Sequence, residues 1–197
     1  MVGNDIIDIA ATKLSKDPTG LGWQRPGFVE KIFTDSEQKL IVDSEDPFIT
    51  VWQLWSMKES AYKVFIQAGG TPFYNPKRIE CQLEGLNGQV EIRDLILETK
   101  SIINEDYIFS TAFSDNSEIK TSIFELPKND IQQQSDFIRQ QLIIDFSKSN
   151  NLDLQHLEIR KSTSGVPLIY FHDEILELTI SLTHCGEFGG YSFEKVI

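Results

Sequence analysis

Three charged residues, Lys58, Glu59 and Lys63, stand inside the otherwise apolar stretch LWSMKESAYK, Leu54 to Lys63. Trp55, Glu59 and Lys63 recur at i, i+4 and i+8, so they share one stripe of a helix. A solvated Glu59–Lys63 pair is the plain alternative, contributing only about 0.2–0.5 kcal/mol. The surrounding residues are mostly apolar, aromatic or small, which marks a helix buried nearly all round. A charge removed from water must find a partner or change its ionisation state. Asp5 raises the same problem in the opening VGNDIIDIA, where period-two alternation places Gly3, Asp5, Ile7 and Ile9 on one strand face. Asn4, Ile6 and Asp8 take the other face, so Asp8 points away from Asp5. A carboxylate capping a turn would explain Asp5 alone. Asp5 and Glu59 together match the one or two carboxylates that hold Mg²⁺ while water and substrate phosphates fill its other positions. Lysines beside such a site bind phosphate oxygens and stabilise charge on a leaving group.

His184 stands in SLTHCGEFGG, where an alternating strand gives way to glycines. A lone histidine at a strand end is more often structural or solvated than a ligand. Its neighbours Thr183 and Gly186 make a corner able to contact a phosphate.

The elements that must position these residues follow from local signals. Residues 2–10 read as a strand, and the Gly- and Pro-containing run from Thr12 to Phe28 as a loop. Thr34 or Asp35 caps a helix through Val42. Asp46-Pro47 opens a longer helix, Phe48 to Ala68, that stops at Gly69-Gly70. RIECQLEG, a turn at Asn87-Gly88, QVEIRDLIL and DYIFSTAF then read as strands. KTSIFEL reads as a further strand, DIQQQSDFIRQQLIIDFSKS as an amphipathic helix, LEIRKSTSGVPLIYF as a hairpin, and ELTISLTHCGEFGGYSFE as a closing strand pair. The order strand, helix, Gly-containing hairpin, closing strand thus occurs twice. This predicts an α+β chain of two similar halves, each a small antiparallel sheet packed on a long helix. The boundary falls within residues 116–128 and is drawn between 118 and 119.

Composition bounds the rest. With 197 residues, 40% hydrophobic and 24% charged, the chain reads as one large globular domain or two small, closely packed ones. No stretch approaches the roughly 18 apolar residues of a membrane span, and the N-terminus lacks the basic region of a signal peptide. Cys81 and Cys185 stand far apart, outside any CxxC or Cys/His cluster, so free thiols in the cytoplasm are expected and a zinc site is not. A net charge of −12 argues against nucleic acid as a partner. It leaves room for an anionic small molecule at a local basic patch or a bridging metal.

Taken together, GND (Gly3–Asp5) and WSMKESAYK (Trp55–Lys63) resemble the G-x-D and W-[ST]-x-K-E-[AS]-x-x-K motifs of the 4′-phosphopantetheinyl transferase superfamily. FVEKIFTDSEQ resembles the family's intervening segment, SGVPL its Gly-Lys-Pro turn, and SLTHCG its Ser-His-x-Gly strand. The motif order is that of the small, trimeric holo-acyl-carrier-protein synthases, but the length approaches that of the larger, two-half members. DYIFSTAF carries no histidine, and SDFIRQQLIIDF carries no K-E motif. These complementary losses suit two halves sharing one active site, in swapped order, so that a monomer suffices; an elongated subunit that still forms a trimer is the rival.

The resemblance implies transfer of the 4′-phosphopantetheine arm of coenzyme A to a serine of an acyl or peptidyl carrier protein, as in fatty acid or polyketide biosynthesis, releasing adenosine 3′,5′-bisphosphate. By the same resemblance Asp5 and Glu59 hold Mg²⁺ and Glu59 takes the serine proton. Lys63 assists the departing phosphate, and Lys58, Lys63, Thr183 and His184 contact coenzyme A. A non-catalytic module binding coenzyme A or a carrier protein is the alternative. The chain departs from the family pattern at three places. Ile7 stands where many larger members carry a second acidic residue, and Val166 replaces the turn lysine, for which Arg160 or Lys161 are candidate substitutes. Thr183 replaces the serine before the histidine.

Overall fold

Isoleucine-rich alternation suits a pleated, half-buried surface, and Val2–Asp8 forms strand β1. This computed structural model describes residues 1–14, 22–114, 118–128 and 130–195. Asp8 ends β1 and caps the short helix α1, Ile9–Lys13, by accepting from the Ala11 N–H at 2.8 Å. Thr12 and Lys13 are therefore helical, while part of the expected loop lies outside the described residues. Helix α2 (Phe28–Ile32) leads into α3 (Asp35–Asp43), where Thr34 and Glu37 complete a reciprocal capping box. Helix α4 spans Pro47–Gln67: Asp46 accepts from the Ile49 N–H, Pro47 occupies the first turn, and the left-handed Gly69 (φ 85°) follows its end.

Four strands follow: β2 (Ile79–Glu84), β3 (Asn87–Ile92), β4 (Leu95–Ile103) and β5 (Tyr107–Phe113). With β1 they make an antiparallel sheet of order β1-β5-β4-β3-β2. The first hairpin turns at Gly85-Leu86, not at the expected Asn87-Gly88, because Glu84 pairs with Asn87 and Gly85 supplies the positive φ of 61°. Gly88 instead lies within β3, where an added Cβ would meet Gln82 O at 2.4 Å and Met57 Cε at 2.8 Å. QVEIRDLIL, read as a single strand, is broken by a second turn at Arg93-Asp94, with Arg93 at φ 58°.

The remaining elements are β6 (Ile119–Glu125), α5 (Ile131–Asn150), β7 (Leu157–Lys161), β8 (Pro167–Phe171), β9 (Glu174–Ile175), β10 (Ile180–Cys185) and β11 (Phe188–Glu194). They form one sheet of order β10-β11-β6 and a smaller one of order β7-β8-β9. In both large sheets the first strand of the set pairs with the last, and the last with one that precedes it. The architecture is α+β with antiparallel sheets, as expected.

Apolar residues of α4, among them Leu54, Met57, Ala61 and Val64, pack with Ile79, Val90, Ile92 and Leu97 of the five-stranded sheet. Ile138, Leu142 and Phe146 of α5 make a second core with Ile169, Ile180, Tyr191 and Phe193. Between the cores, β1 lies against β10 and β11. There the buried Asn4 joins the two sets: its N–H donates to Ser181 Oγ at 3.0 Å, its Oδ1 accepts from Ser181 Oγ at 2.8 Å, and its Nδ2 donates to Ser192 Oγ at 3.3 Å. Full pairing of these polar groups removes the penalty of burying them.

Candidate active site

Alternation along β1 decides which side chains meet. Gly3 faces α4 so closely that an added Cβ would lie 2.1 Å from Ser60 O. The missing side chain thus lets helix and strand backbones touch. Two residues on, Asp5 points to the same side, and its Oδ1 lies 3.7 Å from Lys63 Nζ. Ile7, the next on that face, is buried among Phe48, Trp52 and Trp55. Asp8 faces the other way, with its two oxygens accepting from the Ala11 and Glu187 N–H groups.

Across the seam, Thr183 Oγ1 donates to Asp5 Oδ1 at 3.3 Å, which brings β10 to the carboxylate. Lys63 spans the same seam, donating to Asn4 O at 2.5 Å and Leu182 O at 3.4 Å. One helical turn further, Gln67 repeats the pattern on Val2 O and Ile180 O, at 2.9 and 3.2 Å. Two side chains of α4 therefore hold the edges of β1 and β10 together.

Asp5, with 15% of its side chain exposed, is pushed above the ordinary carboxylate range by burial. Lys63 and hydrogen bonds from Thr183, the Ile6 N–H and Ser56 oppose that rise. Burial also raises the half-buried Glu59, the negative charge of Asp5 raises it further, and Lys63 opposes both. Among the described residues the Glu59 carboxylate makes no hydrogen bond. Two carboxylates under mutual repulsion, one without a hydrogen bond among the described residues, are a hard-oxygen donor set that fits a divalent cation. No group of three His, Cys, Asp or Glu side chains able to hold a metal occurs among the described residues. A Mg²⁺ held by two carboxylates and completed by water and phosphate is compatible with that.

Lys58 is placed elsewhere. Its ammonium lies 2.8 Å from Glu37, with 1% and 0% of the two side chains exposed. It also donates to the carbonyls of Pro76, at 3.0 Å, and Ile79. With its donors committed inside the first core, Lys58 does not reach the Asp5 cluster, and the expected contact with coenzyme A is not available in this conformation. Glu37 was missed as its partner. Its capping-box spacing after Thr34 is visible in the sequence, but its bonds to Lys58 and to the Cys81 N–H (2.8 Å) arise only on packing.

Beside the carboxylates opens a cleft of about 340 Å³, walled by α4 and β10 on one side and by α5 and the β7–β8 turn on the other. Lys63, Thr183 and His184 line it, and so do Gly165, Val166 and Pro167. His184 is exposed there, whereas Thr183 is buried. Of the two candidate substitutes for the turn lysine, Lys161 lines the cleft. Arg160 does not, being held between Glu158 (2.6 Å) and Asp173 (2.5 Å) on the small sheet. Arg139 of α5 also lines the cleft, and no motif pointed to it. Cys81 and Cys185 are both free thiols, and no described helix is long and apolar enough to cross a membrane.

A family model described as the 4′-phosphopantetheinyl transferase superfamily matches residues 1–112. That span holds Asp5, Lys58, Glu59 and Lys63; Thr183 and His184 lie beyond it. Among solved structures, the chain is similar to that of Thermotoga maritima holo-acyl-carrier-protein synthase (AcpS). The likeness has 12% sequence identity, covers 88% of this chain and 83% of that one, and has a TM-score of 0.41. No curated protein matches the chain.

Proposed function

The chain belongs to the 4′-phosphopantetheinyl transferase superfamily, and on that premise we propose that it transfers the 4′-phosphopantetheine arm of coenzyme A to a serine hydroxyl of an acyl or peptidyl carrier protein, releasing adenosine 3′,5′-bisphosphate. The observation that carries this reading is the meeting of Asp5, Glu59 and Lys63 with Thr183 of β10, at the edge of a cleft lined by basic groups.

The serine oxygen attacks the phosphorus that bears the pantetheine arm, and the bond from that phosphorus to the bridging pyrophosphate oxygen breaks. Glu59, directly or through a water, takes the serine proton. Lys63, held by two main-chain carbonyls, presents its ammonium to the departing phosphate. His184 and Thr183 orient the phosphates from β10. Asp5 and Glu59 would hold Mg²⁺, which when bound offsets the charge of the pyrophosphate. Positioning and electrostatics carry most of the burden in phosphoryl transfer.

Residues 1–118 and 119–197 are read as two halves that share this site. Aligning β1 with β6 from their first residues sets Ser122 at the place of Asp5, and the strand registers set Ile103 at the place of His184. The counterpart site therefore lacks its carboxylate and its histidine, and a monomer suffices. Light scattering that gave a trimer mass would sink the shared-site reading.

The activity is tested by intact mass of a panel of apo-carrier proteins after incubation with the chain, coenzyme A and Mg²⁺. A gain of about 340 Da, the mass of the arm moved by this chemistry, absent with Glu59→Gln, is the expected result. Coenzyme A binding with no gain on any carrier would favour the non-catalytic module.

A further inference from the structure

β1 ends the five-stranded sheet and β10 ends the three-stranded one, and among the described residues no backbone hydrogen bond joins the two edges. Side chains take the place of a ladder, in rungs two residues apart. In the first, the Val2 N–H donates to Thr179 Oγ1 at 2.8 Å, and Gln67 Nε2 donates to Val2 O and Ile180 O at 2.9 and 3.2 Å. In the second, the Asn4 N–H donates to Ser181 Oγ at 3.0 Å, and Lys63 Nζ donates to Asn4 O and Leu182 O at 2.5 and 3.4 Å. The third position breaks the series. There the Thr183 hydroxyl and the Ile6 N–H both serve the Asp5 carboxylate, and α4 presents Glu59, an acceptor in its charged form, four residues before Lys63. The reacting centre opens where the bridged seam stops.

Lys63 has two duties in this arrangement. An ammonium carries three N–H donors; Asn4 O and Leu182 O take two, and Asp5 Oδ1 stands 3.7 Å away. A substrate phosphate takes this ammonium by drawing it from one of those partners, which loosens the second rung during the reaction. Gln67 has no such conflict. Its amide nitrogen gives a donor to one carbonyl of each strand, while its Oε1 is buried without a partner among the described residues. An unpaired buried acceptor is a penalty, and it accompanies the amide orientation that gives both carbonyls a donor.

We propose that Gln67 is a positioning residue for the transfer. It holds β1 and β10 in register while Lys63 engages the phosphate, and so keeps Thr183 and His184 aligned with Asp5 and Glu59. This rests on the transferase reading and deepens it, because it divides the seam into a rung that takes part in the reaction and a rung that does not.

Steady-state transfer by the full chain to a carrier protein it modifies, with coenzyme A and Mg²⁺, is measured for two variants. Gln67→Leu removes both donors from a side chain of similar size. It is expected to lower kcat about tenfold to a hundredfold, the effect of misplacing reacting groups by up to about 1 Å, with the KM for coenzyme A nearly unchanged. Gln67→Lys repeats at this turn the ammonium bridge of Lys63 and restores kcat. Deuterium exchange of residues 180–185 should be faster in Gln67→Leu than in the parent when coenzyme A and Mg²⁺ are bound, and alike in the two proteins when free. Parental kcat in a folded Gln67→Leu protein overturns the assignment while the transferase reading stands. So does a loss that Gln67→Lys fails to restore, or faster exchange in the free variant as well, either of which marks a general structural role. Absence of transfer by the unsubstituted chain to any carrier removes the transferase reading, and this assignment with it.

Discussion

The ammonium of Lys58 lies 2.8 Å from the carboxylate of Glu37, with both side chains out of water, and this pair ties α4 to α3. Glu37 also accepts from the N–H groups of Thr34 and Cys81, so one carboxylate joins α3, α4 and the edge strand β2. Removing either partner leaves an uncompensated buried charge. Lys58→Ala and Glu37→Ala are each expected to cost about 3–5 kcal/mol, read from urea unfolding. A loss under about 1 kcal/mol, the range of a solvated pair, would show that the pair is not buried in solution.

Gly3→Ala tests how closely β1 and α4 approach. A Cβ would meet Ser60 O at 2.1 Å, and backbone cannot give way as a flexible side chain does. The expected cost is about 1–3 kcal/mol. Activity should fall more than stability accounts for, because Glu59 moves relative to Asp5 as α4 is displaced. Wild-type turnover in a folded Gly3→Ala protein would separate the carboxylate geometry from catalysis.

Asp5→Asn replaces a carboxylate that burial disfavours in its charged form. The metal-free variant should melt about 2 °C or more above the parent, since each kcal/mol moves the midpoint of a chain this size by about 2–4 °C. Addition of Mg²⁺ should raise the melting temperature of the parent and leave the variant unmoved. Transfer activity should fall at least about a hundredfold. An equal Mg²⁺ shift in both proteins would place the cation away from Asp5.

Acid should loosen the seam at Glu194. Burial alone would raise this carboxyl. Hydrogen bonds from the Met1 amine and from the N–H and hydroxyl of Thr179 outweigh burial, and its affinity for protons falls below the ordinary value. A carboxylate whose folded value is depressed contributes stability above its unfolded value and loses it as pH falls through the folded one. Melting temperature should therefore drop on acidification below about pH 4, the ordinary glutamate range. Glu194→Gln should flatten that acid limb; an unchanged limb would assign the acid sensitivity to other carboxylates.

Much of the site is legible before folding is considered. Period-two alternation placed Asp5 with Gly3 and Asp8 on the opposite face, and the strand obeys it because side chains on a pleated backbone can point only two ways. The 3.6-residue period put Glu59 and Lys63 on one stripe, and Asp46-Pro47 with Gly69 marked the ends of α4 to within a residue or two. The hairpin turn was misplaced because Asn87-Gly88 and Gly85-Leu86 are both acceptable local turns. The close packing of Gly88 on Met57 selects between them.

The sequence by itself determined the long helices, the faces of β1 and the stripe on α4, because each follows from torsional periods and caps within a few residues. Only the tertiary structure decided what those faces meet. Lys58 and Glu59 are neighbours in sequence, yet a turn of 100° per residue sends one into the core to Glu37 and the other toward Asp5. Thr183 and Lys63 reach Asp5 from segments more than a hundred residues apart, brought there by the packing of β1 on β10. Arg139 faces the cleft because α5 buries Ile138 and Leu142 on the second sheet. Local periodicity sets the direction of a side chain, but its partner depends on which surface the rest of the chain folds against it.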